Sequence, residues 1–177
     1  MIQKLNDLPI NIVFDNKEIK NKLPILFLHG FTGSSNDWDL IDGNLPSEFT
    51  QIFIDLIGHG NSSSPSELEK YTEEYLIQII NQLLNFLSIK EIILVGYSMG
   101  GRLSLLFTLN FPEKVRALIL ESSSFGIESL TERNERVLSD AELAAKIEDI
   151  GISNFIDYWM NIPLFESMKN IDSVKVE

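Results

Sequence analysis

The stretch Ile92-Ile93-Leu94-Val95-Gly96-Tyr97-Ser98-Met99-Gly100-Gly101 constrains this chain more than any other. Its first four residues are the uninterrupted apolar run of a buried strand, and residues 99–110 carry the pattern of a helix. Between them stands G-x-S-x-G. In that context the serine sits on a sharp, strained turn, and positions 96 and 100 must be small so that strand and helix can approach. The helix N-terminus adds positive potential beneath the serine oxygen. The bland alternative is a small-residue turn with an ordinary capping serine, so the surrounding sequence has to decide.

The flanking pattern is that of an alternating α/β chain. Residues 8–14 and 24–28 are apolar runs of strand length, and the polar residues Asp15 to Lys22 between them predict a hairpin. A Gly- and Ser-rich loop follows, from His29 to Ser35, and residues 37–45 predict a short helix. Gln51 to Asp55 reads as a buried strand leading into the loop "GHGNSSSP". From Thr72 to Leu87 the apolar residues recur with helical spacing, with Thr72 as N-cap. Val115 to Leu120 is the next strand. Uninterrupted apolar strands between helices predict a mostly parallel sheet covered on both faces. After Glu121 no strand candidate follows; two or three helices are expected, from about Thr131 to Glu148 and from Ser153 to Met160. We therefore expect residues 1–121 to form the N-terminal part of an α/β core and residues 122–177 a helical lid or cap.

Composition narrows the partners. A net charge of −12 argues against nucleic acid and acidic membrane surfaces, and an anionic ligand would need locally concentrated arginines. The chain has no cysteine, hence neither a disulfide framework nor thiol chemistry. No apolar run approaches a membrane span, and the N-terminus lacks the pattern of a signal peptide, so a cytoplasmic location is expected. The two histidines lie 30 positions apart without acidic or thiol partners, so no metal site is expected. The elbow does not give G-x-G-x-x-G, and no cofactor is expected.

A serine needs a base to take its proton. On a turn of this kind the partners follow in the order Ser, Asp or Glu, His. Both histidines, His29 and His59, precede Ser98. The expectation is therefore a piece of a longer enzyme, with the closing C-terminal strands absent, and with an open sheet edge that makes this piece poorly soluble alone. His29 is expected to order the base of its loop rather than to move protons, and His59 to order the loop after its strand. His29-Gly30-Phe31 follows a strand at the place where the second oxyanion donor belongs, so the backbone N–H groups of Phe31 and Met99 are expected to face one developing negative oxygen.

These pieces resemble the α/β-hydrolase family. More narrowly, the chain is similar to the 2-succinyl-6-hydroxy-2,4-cyclohexadiene-1-carboxylate synthases of menaquinone biosynthesis. The matching stretches are "FLHGFTGSSNDW", "DLIGHGNS", "VGYSMGGRLSL", "LILESSSFGI" and, in the lid, "ERNERVLSDAELAAKIEDIGISNFIDYWMNIPLF". The first three are family-wide signals; the last two are far more specific. The family usually has proline where Phe125 and Ile57 stand here. The resemblance implies an α/β-hydrolase fold with a helical lid and a lyase that eliminates pyruvate from a cyclohexene polycarboxylate. It implies Ser98 as the base in a Ser-Asp-His triad whose Asp and His lie beyond this chain. Arg102, Arg133 and Arg136 would then bind substrate carboxylates, since arginine forks match carboxylates bidentately. Tyr97 and Trp159 would line the pocket. The competing reading for Arg136 is a solvated ion pair with Glu132, for Tyr97 a packing residue beside the elbow, and for Trp159 a lid-core residue. The competing functions are a serine ester or C–C bond hydrolase, and a non-catalytic hydrolase-like protein.

Overall fold

The computed structural model describes residues 1–14, 22–39, 41 and 44–170. They form two units, Met1–Phe125 and a second that begins at Gly126.

In the first unit six described strands make one sheet: β1 (Ile2–Leu5), β2 (Leu8–Phe14), β3 (Leu23–Leu28), β4 (Phe49–Ile54), β5 (Ile92–Tyr97) and β6 (Val115–Glu121). Their order is β1-β2-β4-β3-β5-β6. From β4 across β3 and β5 to β6 every pairing is parallel; β1–β2 and β2–β4 are antiparallel. Burial explains the arrangement. In β3, Leu26 and Leu28 enter the larger core, while Ile25 and Phe27 enter a second cluster with Phe53 and Val95. A strand buried on both faces belongs in the middle of the sheet, and two-residue alternation assigns each side chain to its cluster.

That burial also corrects the expected hairpin. The runs at 8–14 and 24–28 do not pair with each other. β2 lies between β1 and β4, and β3 between β4 and β5. The hairpin is instead β1–β2, closed by Asn6 and Asp7 at φ 44° and 64°, the positive-φ pair that a tight two-residue hairpin turn requires. β1 escaped the sequence reading because Ile2–Leu5 is short and buries only Leu5. The polar connection expected over 15–22 lies outside the described residues except for Lys22.

The helices follow their patterns closely. Helix α1 (Glu73–Phe86) starts where Thr72 Oγ1 accepts from the Tyr75 N–H at 3.3 Å. It buries Ile77, Ile80, Leu83 and Leu84 against the larger core. It stops at Ser88, which takes φ 55° while the Ile89 N–H closes back on the Leu84 carbonyl at 2.8 Å, a left-handed C-terminal cap. Helix α2 (Met99–Asn110) buries Leu103 and Phe107 in the same core. The helix expected over 37–45 is a 3-10 turn at Ser35–Trp38, capped by Ser34; positions 40, 42 and 43 of that range lie outside the described residues. β6 is the outermost described strand beside β5, and most of its residues, Ile119 and Leu120 among them, are exposed.

The second unit is a helical run, α3 (Leu130–Met160), broken at Gly151, where φ is 75° and ψ 160°. Ser129 caps its start by accepting from the Glu132 N–H at 3.3 Å. The break matches the two helices expected from about 131 to 148 and 153 to 160. No helix among the described residues is long and apolar enough to cross a membrane.

Candidate active site

β5 hands the chain directly to α2 through one residue, Ser98. That residue sits at φ 51°, ψ −110°, a conformation costing an L-residue on the order of 1–3 kcal/mol and kept only where the surroundings over-determine it. The surroundings here act on both of its peptide groups. The Ser98 N–H donates to the Glu121 carbonyl at 2.9 Å, while the Ser98 carbonyl accepts from the N–H groups of Gly101 at 3.1 Å and Arg102 at 3.2 Å. The Ser123 hydroxyl donates to the same carbonyl at 3.0 Å. The Ser98 hydroxyl itself has no hydrogen-bond partner among the described residues.

The glycines around it are required by backbone crowding. A Cβ on Gly96 would collide with the Gly100 carbonyl and Gly101 Cα; one on Gly100 would collide with the carbonyls of Leu28 and His29. The second collision locates the end of β3, immediately beside the start of α2. Gly30, next along, comes so close that a Cβ there would lie 3.5 Å from Ser98 Cβ and 2.8 Å from the Tyr97 ring. The His29-Gly30-Phe31 loop is therefore a direct neighbour of Ser98, with Tyr97 lying across Gly30. Met99 opens α2, and Phe31 opens the turn that continues through Thr32 at φ 67°.

His29 is fully buried and both its ring nitrogens are engaged. Nδ1 donates to the Gly30 carbonyl at 2.8 Å, and Nε2 accepts from the Leu56 N–H at 3.0 Å. That pattern fixes the neutral tautomer. Burial pushes its pKa below the ordinary 6.5, helped by the adjacent His59; the Gly30 hydrogen bond, Asp37 and Asp55 pull the other way and lose. The Gly30 contact orders the base of its own loop, as the sequence led us to expect, and the Leu56 contact also ties that loop to the one after β4, which the sequence did not indicate. His59 donates from Nδ1 to the Ile57 carbonyl at 3.1 Å and packs its ring 5.0 Å from that of His29.

The sequence reading passed over Asp55, which is wholly buried at the end of β4. Its carboxylate accepts from the Ser35 N–H at 2.6 Å, the Asn61 N–H at 2.8 Å and Asn11 Nδ2 at 2.9 Å. Burial pulls its pKa up, but these hydrogen bonds outweigh it and hold the carboxyl below its ordinary 3.8. Strand β2 and the loops after β3 and β4 thereby converge on one charge. The available signal was an acid ending an apolar strand, since acids are almost never fully buried unless partnered.

Arg102, one turn into α2, is exposed and its guanidinium has no partner among the described residues. The remaining three candidates lie on α3 in the second unit. Arg133 Nη2 donates to the Glu128 carbonyl at 3.4 Å. Arg136 pairs through Nε with Asp140 at 2.7 Å, so its helix partner is the acid four residues ahead rather than Glu132 behind. Trp159 stacks on Phe155 at 5.8 Å between ring centroids and meets Phe165 edge-on at 5.9 Å.

A serine at an over-determined positive φ, between a strand and a helix and beside a glycine loop from a neighbouring strand, is the geometry of a nucleophile elbow. Residues 24–145 match the family model described as the alpha/beta hydrolase fold. The chain belongs to the α/β-hydrolase family. This α/β hydrolase is 40% identical over 147 residues to a Bacillus subtilis (strain 168) protein provisionally named as a 2-succinyl-6-hydroxy-2,4-cyclohexadiene-1-carboxylate synthase, and that similarity covers 83% of this chain. It is 30% identical over 148 residues, 84% of this chain, to the synthase of that name from Enterobacter sp. (strain 638). The structure of MenH from S. aureus superposes with a TM-score of 0.80 at 34% identity, covering 90% of this chain and 60% of that one. The α/β hydrolase described here spans about half the length of the curated relatives it matches, 53% and 56% of the first two.

Proposed function

We propose that this α/β hydrolase is a lyase, a 2-succinyl-6-hydroxy-2,4-cyclohexadiene-1-carboxylate synthase of menaquinone biosynthesis acting in the cytoplasm. Its substrate is then 2-succinyl-5-enolpyruvyl-6-hydroxy-3-cyclohexene-1-carboxylate. One observation carries the reading: the likeness to MenH extends over 90% of this chain, well beyond the elbow common to many hydrolases.

In this reading Ser98 is the base, its own proton held by a His-Asp pair outside these 177 residues. A ring C–H proton is taken, charge develops on the succinyl carbonyl, and the C–O bond to the enolpyruvyl group breaks. Pyruvate leaves as its enolate and takes up a proton. The backbone N–H groups of Phe31 and Met99 stabilise the developing oxyanion, an interaction that counts because it strengthens only as the charge forms. Arg102 is free to bind a substrate carboxylate. Arg133 and Arg136, from residues 122–177 acting as a lid, bind others; Arg136 exchanges the exposed Asp140 pair, itself worth little, for a bidentate carboxylate. Tyr97 and Trp159 each contact the substrate in this reading, a role that the resemblance implies for each separately.

The test is a pair of assays on the protein at its full natural length. The expected result is pyruvate release from the cyclohexene substrate, with kcat/KM at least about 10³-fold above that for p-nitrophenyl acetate hydrolysis, the scale on which a site tuned to one transition state discriminates. Efficient ester hydrolysis with no pyruvate released would sink the lyase and leave an esterase.

A further inference from the structure

Ser98 keeps its conformation through two contacts that come from a single short turn. The turn is Glu121-Ser122-Ser123, at the end of β6. Glu121 accepts the Ser98 N–H at 2.9 Å. Ser123 donates its hydroxyl to the Ser98 carbonyl at 3.0 Å and shares it with the Glu121 carbonyl at 3.1 Å. One hydroxyl therefore links the carbonyl that receives Ser98's N–H to the carbonyl that Ser98 itself presents. The turn is shaped for this: Ser122 takes φ 49°, itself an uncommon left-handed angle. The elbow is shaped for it too. A Cβ on Gly101 would overlap the Ser123 side chain, so Gly101 leaves the space that the hydroxyl occupies.

The other donors to the Ser98 carbonyl are the N–H groups of Gly101 and Arg102, which belong to the first turn of α2 and would form in any helix starting there. They do not select the angle at which Ser98 enters. The Ser123 hydroxyl comes from a different strand and does.

We infer that Ser123 is a positioning residue for Ser98: its hydroxyl fixes the Ser98 peptide, and thereby the direction of Cβ and Oγ, against the relaxation that φ 51° invites. The inference rests on Ser98 being the reactive group of the proposed lyase. It needs no particular substrate.

The measurement is the rate at which Ser98 is captured by a fluorophosphonate probe in the protein at its full natural length, read by intact mass. Ser123→Ala should be captured about tenfold more slowly, the scale expected from a sub-ångström misplacement of a reacting atom. Ser123→Thr, which retains the hydroxyl, should stay within about twofold of the wild type. Ser124→Ala, one residue on, should match it. The melting temperature of Ser123→Ala should fall by no more than about 3 °C, as for one partly exposed hydrogen bond. Capture of Ser123→Ala at the wild-type rate would overturn the inference, as would Ser123→Thr proving as slow as Ser123→Ala. A wild type that takes the probe but releases no pyruvate overturns the lyase alone and leaves the capture ratio to decide on Ser123. A wild type that takes no probe overturns both.

Discussion

At Ser98 the unusual backbone angle is gripped from both sides, by Glu121, Ser123 and the first turn of α2. At Gly151, where α3 breaks with φ 75°, a Cβ would meet nothing within 4 Å. The same kind of angle thus has opposite surroundings in the two units. Around the elbow, packing and hydrogen bonds leave one arrangement, as the proposed role of Ser98 would require. At the α3 break the angle is left to glycine's own conformational freedom. The side chains agree. His29, whose carbonyl lies against Gly100 at the elbow, is wholly buried, whereas on α3 Phe155 is the one buried residue among the described residues.

The two glycines give the sharpest way to break this contrast. Gly100→Ala forces a methyl into the carbonyls of Leu28 and His29. Backbone cannot step aside as a flexible side chain can, so a loss of about 3 kcal/mol or more is expected. Thermal melts should record this as a fall of roughly 6–12 °C. A fall below about 2 °C would mean that the elbow is far looser than its geometry.

Asp55→Asn comes next. An amide has one oxygen, so its NH2 must face either the Ser35 N–H or the Asn61 and Asn11 donors. Leaving a buried donor unpaired and the rest without charge assistance costs about 2–3 kcal/mol. The pH arm has a definite sign. The folded pKa lies below the ordinary 3.8, so the stabilisation from Asp55 is fully present above 3.8 and is lost as pH falls from there through the folded value. Urea titrations should show a shallower decline below about pH 4 in the Asn variant than in the wild type. Parallel declines would remove Asp55 as the anchor of strand β2 and the two loops.

Gly151→Ala should be the mildest, about 1 kcal/mol, because only the left-handed angle resists it. A loss as large as that of Gly100→Ala would erase the distinction between the two regions.

The same distinction governs what could be read from the sequence. Gly96, Ser98 and Gly100 were legible because steric exclusion at a strand-to-helix turn leaves few residue types that fit. The parallel strands and α1 were legible because burial on two faces, or on one helix face, writes a period into the chain. The hairpin was misread because an apolar run states that a strand is buried without stating beside which strand. Asp55 was missed since its meaning comes from donors at positions 11, 35 and 61, which no local pattern joins. Ser123 was visible only as part of a resemblance; its tie to Ser98 spans 25 positions. Arg136 had acids four residues away in both directions, Glu132 and Asp140, and spacing alone does not choose between them.

The most direct test of the central claim is pyruvate release from the cyclohexene substrate by the wild type and by Ser98→Ala at full natural length, measured with coupled lactate dehydrogenase. The account predicts steady release by the wild type and a loss of at least about 10³-fold in kcat for the alanine variant, with an unchanged melting temperature within about 3 °C. Release by Ser98→Ala at a rate within tenfold of the wild type would contradict it, and would move the chemistry away from the elbow.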